Sequence, residues 1–488
     1  MENNKKLGKI RSVIFPIHKS ELRKFIPLTS IFFMISFNYA TLRNLKDMFL
    51  IAHSGPEVIY YLKLFGVTPM IILFTIIYSK VSRVMDRDGR FNAFVLYFLA
   101  FFGLFYFFLL PNLDSLRQDI LADSLNARFP KMLGLWEAIR YWPLSLFYIN
   151  AEAWGTVVLS ILFWTFVNET TGIEQAKRFY SFLSLGASTG LIAAGVALQR
   201  SKENLDLMLG VIIGLAAIIL VVYNIFARYI KRYPALYQVE ERPKKKKVEI
   251  SFVESLKFLA KSSYLALIAI LVVSYGLVVS LFESAWKTQV SNLNKISGGN
   301  GILAEIYGNQ SIFGGILSLI LVVFLSAPIM NRGWRFSASV TPVVAFIATI
   351  LFFSFLYFGD SLAHLAASWS TTPLSMAVMF GLVNVVFIKS SKYIIFEPTK
   401  ERAYIPLDEE SKVRGKAAVD GVGSRLGKSL GSLILTGILI PFVGGGSLGR
   451  VQYYVFFIIC FVLMIWLIAI KNLSVKYHQI IRQKKQHS

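Results

Sequence analysis

Cysteine is almost missing from this chain: Cys460 is the only one in 488 residues. A disulfide framework is excluded, and so is any site built on clustered thiolates. Histidine is nearly as scarce, and His18, His53, His364, His478 and His487 are scattered with no ligand spacing. Neither a metal centre nor a cofactor is expected. Charged residues make up only 16% of the chain, against roughly 25% in a typical soluble domain. No polar stretch is long enough to form a soluble catalytic domain. The first 25 residues are polar and basic, with no cleavable-signal pattern and no long serine-rich transit segment. A bacterial inner membrane is the expected location, in preference to an organelle reached by import. A complete phosphate-binding P-loop is absent as well. The stretch GVGSRLGKSLG (421–431) ends in Gly427-Lys428-Ser429, but the glycine required five places before Gly427 is replaced by Val422. A nucleotide-hydrolysing enzyme is not expected, and Lys428 needs another explanation.

What the chain has in abundance is apolar sequence. Hydrophobic residues make up 55% of it and mean hydropathy is +0.58. Runs near the ~20 residues that cross a bilayer core as a helix recur along the whole length. They predict an all-α polytopic membrane protein with twelve spans, near 27–52, 58–79, 91–110, 142–167, 179–198, 206–227, 264–287, 305–327, 336–358, 373–388, 417–442 and 451–470. The formal charge of +23 is explained by topology. With the N-terminus in the cytoplasm, 37 of the 51 Lys and Arg residues fall on the cytoplasmic side and 8 on the other. That imbalance predicts both termini inside, facing anionic lipid, and no nucleic-acid surface is needed.

The longest cytoplasmic link carries RYIKRYPALYQVEERPKKKKVEI and divides the spans six and six. The expected division is a basic cytoplasmic N-terminus (1–24), a first six-helix half (25–227), a basic linker (228–262), a second half (263–470) and a cytoplasmic tail (471–488). Two such halves place a substrate site between them near mid-membrane. Between spans two and three, Ser82 followed by Asp86-Arg87-x-Gly89-Arg90 resembles the loop motif of the major facilitator superfamily. Asn331-Arg332-Gly333-Trp334-Arg335 looks like its worn copy in the second half. A solvated turn is the plainer reading of either loop taken alone.

Ionisable groups inside spans carry the functional signal, because each costs at least ~2.5–3.5 kcal/mol at a helix centre. Arg43, Lys46 and Asp47 share one side of span one. Asp47 is expected to pair with Arg43, which leaves Lys46 for a cavity or for the outer rim. Glu152, with Asn150 nearby, interrupts span four and has no basic residue within a helical turn. In span seven Glu283 and Lys287 are four apart, in the favourable order for a rim pair worth a few tenths of a kcal/mol. Lys63 in span two either snorkels to the surface or joins a cavity. Tyr307, Asn309 and Gln310 open span eight and offer stacking and amide hydrogen bonds. In span eleven Gly423, Gly427 and Gly431 form a stripe that admits a neighbouring helix closely. Arg425 and Lys428 lie off that stripe, free to face a central anion.

Taken in order, LRNLKD, AEAWG, NETTGIEQAKRFY, FESAWK, FEPTKERAYIPLDEESKVRGKAAVD and GSRLGKS resemble the ATP/ADP translocase family. These are the nucleotide transporters of plastids and of obligate intracellular bacteria such as rickettsiae and chlamydiae. The resemblance runs from near residue 20 to the last span and implies a major-facilitator-like fold. It places the family's substrate-site groups on Lys46, Glu152, Glu283 and Lys428, with Arg43, Lys63, Asn150, Asn309, Gln310 and Arg425 as further candidates. Ala153 stands where the family usually has leucine, and Asn168-Glu169 where asparagine-glutamine is frequent. The implied activity is exchange of ATP for ADP, with inorganic phosphate, by a monomer. A proton-coupled nucleotide importer and an NAD/ADP exchanger remain open as alternatives.

Overall fold

The computed structural model describes residues 17, 21–202, 204–233, 262–299, 301–419 and 424–486. Most of the expected basic N-terminus and linker lies outside them, and so does Gly423. Every regular element among the described residues is helical. Among the described residues, ten helices are long and apolar enough to cross a membrane. They are α1 (Leu22–His53), α2 (Glu57–Val84), α3 (Arg87–Leu109), α4 (Trp142–Thr170), α6 (Asp206–Arg232), α7 (Ser263–Ser297), α8 (Gly301–Asn331), α9 (Trp334–Tyr357), α10 (Pro373–Tyr404) and α12 (Gly449–Gln483). The other two expected spans are helical but differ in kind. Helix α5 (Ile173–Arg200) is long and less apolar, and α11 (424–443) offers only a short apolar run, Ser429–Val443.

Both exceptions are explained by where they pack. Helix α5 lies between α1 and α8. A helix sheltered from lipid on two sides gains little from large apolar residues and much from small ones that let backbones approach. A Cβ on Gly195 would stand 2.5 Å from the Gly308 carbonyl oxygen of α8, and one on Gly315 would stand 2.6 Å from that of Ser188 in α5. Helix α11 lies along α7 for the same reason. A Cβ on Gly427 would meet the Val273 carbonyl oxygen at 2.8 Å, and one on Gly431 would meet Ser280 at 2.6 Å. Two members of the expected glycine stripe thus face the neighbouring helix.

The strands of chain connecting these helices are short except for residues 110–141, which cap one end of the bundle with small helices. There Arg140 binds Asp119, Asp123 and Glu137 at 2.5–2.9 Å. The opposite end brings the later part of α12 to the start of α7, where Lys476 hydrogen-bonds Ser263. At that end the DRDGR loop is pinned down. Asp86 caps α3 by accepting from the Gly89 N–H at 2.9 Å. The Asp88 carboxylate accepts from Tyr223 and Lys231 of α6, both at 2.8 Å. In the matching loop Gly333 adopts φ +100°, which only glycine takes without strain, and Trp334 donates to the Thr399 carbonyl at 2.9 Å.

Contacts between α1–α6 and α7–α12 concentrate away from the DRDGR loop, at what we call the remote end. Glu57 at the start of α2 accepts from the Leu448 N–H at 3.0 Å, and Lys131 stands over the Phe442 ring. Gln199 of α5 donates to Asn309 of α8 at 2.8 Å. Asn44 of α1 donates to the Tyr307 carbonyl and the Ser311 hydroxyl of α8, at 3.1 and 2.8 Å.

Candidate functional site

Charges that stand far apart in the sequence converge between the two groups of helices. Lys46 of α1 lies 2.9 Å from Glu152 of α4 and 2.9 Å from the neighbouring Asp47. The other oxygen of Asp47 lies 2.8 Å from Lys287 of α7. Lys287 is 3.9 Å from Glu283 one turn earlier, and Glu283 is also reached by Lys389 of α10 at 2.6 Å and by Lys63 of α2 at 3.5 Å. Five helices therefore contribute to one chain of ion pairs. Two of its links, Asp47–Lys287 and Lys63–Glu283, join the first six helices to the second six.

Tyrosine rings support the cations. Lys46 stands 4.0 Å from the Tyr148 ring centroid, Lys63 lies 5.3 Å from that of Tyr60, and Arg43 lies 5.6 Å from that of Tyr39. An ammonium against a ring face keeps part of its solvation in a dry site. The network is layered by depth. Lys46, Asp47 and Lys287 have side chains only 2–6% exposed, whereas Lys63, Lys389 and Glu152 are 23–32% exposed. The first group is sealed inside the protein, and the second can be reached by a ligand. Arg43, Lys46, Lys63, Lys287 and Lys389 outnumber Asp47, Glu152 and Glu283 by two positive charges. Such a surplus suits a multiply charged anion.

Sequence expectations fare differently at each position. Lys46, Lys63, Glu152 and Glu283 come together. Glu152, with no cation nearby in its own helix, finds one on α1. Asp47 does not pair with Arg43 as expected. Its two oxygens are taken by Lys46 and Lys287, and the buried Nε of Arg43 has no hydrogen-bond partner among the described residues. Glu283 and Lys287, for which a rim pair is the plainer alternative in the sequence, are deeply buried. Asn150 points elsewhere, accepting from the Tyr97 hydroxyl of α3 at 2.8 Å. Asn309 belongs to the α5–α8 seam, and Gln310 is buried in α8. The side chains of Arg425 and Lys428 lie outside the described residues, so their expected place beside an anion is not addressed by this geometry.

Lys389 is the residue that sequence reasoning missed. Ending span ten at residue 388 assigned it to a loop, but α10 continues to Tyr404 through a π-helical segment, Lys392–Phe396. The apolar YIIF after Lys392 was the available signal.

Residues 1–477 match the family described as TLC ATP/ADP transporter. The chain belongs to that family. Among its relatives, ADP,ATP carrier protein 1 of Chlamydia pneumoniae is 37% identical, with 96% of this chain and 94% of that protein covered. The Rickettsia typhi protein of the same name is 33% identical over 98% of both. The chloroplastic ADP,ATP carrier protein 2 of Arabidopsis thaliana is 35% identical over 97% of this chain and 77% of its own length. Two solved structures share the fold at low identity. A bacterial homologue of the iron transporter ferroportin, in an inward-facing state, has a TM-score of 0.54 at 14% identity and covers 95% of this chain and 99% of its own. The nucleoside transporter NupG has a TM-score of 0.50 at 12% identity, covering 92% and 99%. The family member described here is thus a multi-pass, all-α membrane protein that shares its fold with these two transporters, in a family of transporters.

Proposed function

We propose that this chain exchanges ATP for ADP across a bacterial inner membrane by alternating access, without chemistry on the nucleotide. The observation that carries this reading is the cross-half network of Lys46, Asp47, Glu152, Lys63, Glu283 and Lys287 in a member of this family. ATP and ADP are polyanions that hydrocarbon excludes, and cations in a watery cavity offset the phosphate hydration they lose. In the empty carrier Asp47, Glu152 and Glu283 offset three of the site's five positive charges. Breaking the Asp47–Lys287 and Lys63–Glu283 links without a substitute would leave buried unpaired charges, at a cost of about 3–5 kcal/mol. A nucleotide supplies the substitute, because its phosphates replace Glu152 and Glu283 at the lysines. Reorientation then proceeds loaded and stalls empty, which is the requirement for strict exchange. Lys428 is assigned to the same phosphates from the second half, with inorganic phosphate as a further substrate. The lysine and arginine bias supports both termini in the cytoplasm against anionic lipid, and a monomer suffices for the mechanism.

Uptake of labelled ATP into proteoliposomes tests this. Uptake that requires internal ADP is the expected result. Equal uptake into empty vesicles under an inward proton gradient would replace exchange by proton symport, with Glu152 and Glu283 as carriers. Uptake driven by internal ADP against external NAD would make the protein an NAD/ADP exchanger.

A further inference from the structure

Lys389 sits midway along α10 and shares one carboxylate with two other cations. The ammonium groups of Lys389, Lys63 and Lys287 lie 2.6, 3.5 and 3.9 Å from Glu283. A carboxylate can accept several hydrogen bonds, but it neutralises only one positive charge. Lys287 is sealed from solvent and satisfied by Asp47, so the excess falls on Lys389 and Lys63, which are 30% and 23% exposed. Arg43 is close enough to Lys389 for the two cations to repel, and its buried Nε has no hydrogen bond among the described residues.

The position of Lys389 in its helix adds a second observation. Helices α4 and α10 are each the fourth of their six. Glu152 precedes the π-helical segment Gly155–Phe163 by three residues, and Lys389 precedes Lys392–Phe396 by the same three. π-Segments inside helices gather at functional sites, where the extra residue re-aims side chains. Matching places in the two halves thus carry opposite charges. In the first half Glu152 neutralises Lys46. In the second, Lys389 adds positive charge where an anion can reach it.

We propose that Lys389 is a phosphate-binding residue of the nucleotide site, and that Glu283 is the counter-ion which the phosphate chain displaces from it. This rests on the nucleotide-exchange reading above. The test uses the purified full-length protein. Binding and transport of ATP, ADP and inorganic phosphate are compared for the unaltered protein, Lys389→Gln and Lys389→Arg. Loss of one charge-assisted contact predicts ATP and ADP affinities about 10- to 100-fold weaker in Lys389→Gln, with maximal exchange reduced much less. Lys389→Arg should recover most of the affinity. If inorganic phosphate binding weakens in parallel, the residue serves free phosphate as well as the nucleotide; if it does not, the nucleotide chain alone is the ligand. Unchanged ATP and ADP affinity in Lys389→Gln, or a lost maximal rate at unchanged KM, overturns the proposal and leaves the exchange reading standing. Failure of the unaltered protein to bind any of the three overturns both. Should Lys389→Gln fail to fold, K389C in a C460A background gives a separate readout. ATP should slow its modification by a negatively charged methanethiosulfonate at least about tenfold, and equal rates with and without ATP would count against the assignment.

Discussion

Lys46 and Glu152 form a pair in which each removes the expense of burying the other, and in the proposed cycle a nucleotide takes over one side of it. Truncating either has a different consequence. In the proposed exchange cycle Lys46→Ala removes a phosphate partner that becomes available once Glu152 is displaced, and it should reduce ATP/ADP exchange by at least about 100-fold. Proteoliposome uptake with matched protein content measures this. Asn150→Ala, two residues from Glu152, should behave in the opposite way. Its partner is Tyr97 on α3, so the KM for ATP should stay within about twofold while stability falls by on the order of 1 kcal/mol for the lost hydrogen bond. A thermal melt beside a KM measurement separates the two effects. If Asn150→Ala weakens ATP binding by tenfold without changing stability, the residue touches substrate in another state of the carrier. Sequence alone could find Lys46, Glu152 and Glu283, since an ionisable group inside an apolar run is conspicuous wherever its partner lies. It could not assign partners: Asp47 stands one turn from Arg43 in the sequence and pairs with Lys287 across the molecule.

Helix α11 depends on glycine more than on apolar bulk. A methyl group at residue 427 would stand 2.8 Å from the carbonyl oxygen of Val273, and backbone cannot yield as a side chain can. Gly427→Ala should therefore push α11 off α7 and destabilise the protein by about 1–3 kcal/mol. Gly103→Ala on α3, where no atom lies within 4 Å of the added group, serves as the neutral control in the same melting assay. The expected spacing of Gly427 and Gly431 pointed to a close helix neighbour, and the structure supplies α7 as that neighbour. Boundaries were less legible. Helix α10 has lysines at 389, 392 and 400, and a run of charges near the end of an apolar stretch reads as a loop. The helix carries these lysines because Lys389 and Lys400 each reach a carboxylate, Glu283 and Glu397, at 2.6 and 2.5 Å. One of those partners is local and the other comes from α7.

Across the whole molecule the two sets of six helices meet mainly at the remote end, through the α5–α8 seam and the contacts of α2 with α11 and its following loop. Alternating access requires that seam to open. Cysteines at residues 199 and 309, whose native side chains are 2.8 Å apart, in a chain lacking Cys460, should block exchange when oxidised and restore it on reduction. Exchange at the full rate in the oxidised protein would show that this seam stays closed throughout the cycle. The Asp47–Lys287 link belongs to the same scale. Asp47→Asn leaves Lys287 without a full counter-charge at the junction of the halves, which should favour separation there. Labelling of a single cysteine at residue 307, buried in the present state, should then become faster from the remote side, and an unchanged rate would remove the link from the gating.

The sequence by itself determined the membrane class, the order of the ten long apolar helices found among the described residues, and the family. All three rest on local properties: the length of an apolar run, the spacing of residues along a helix, and motifs kept in order. Tertiary structure alone decided how the charges are shared. Helical periodicity sets which face a side chain takes, but not which helix stands opposite it or how deep the contact lies. The energy of a buried charge depends on those two quantities, through partner distance and exposure to water. For that reason Lys389 passed for a loop residue in the sequence, although in the folded protein it lies 2.6 Å from Glu283.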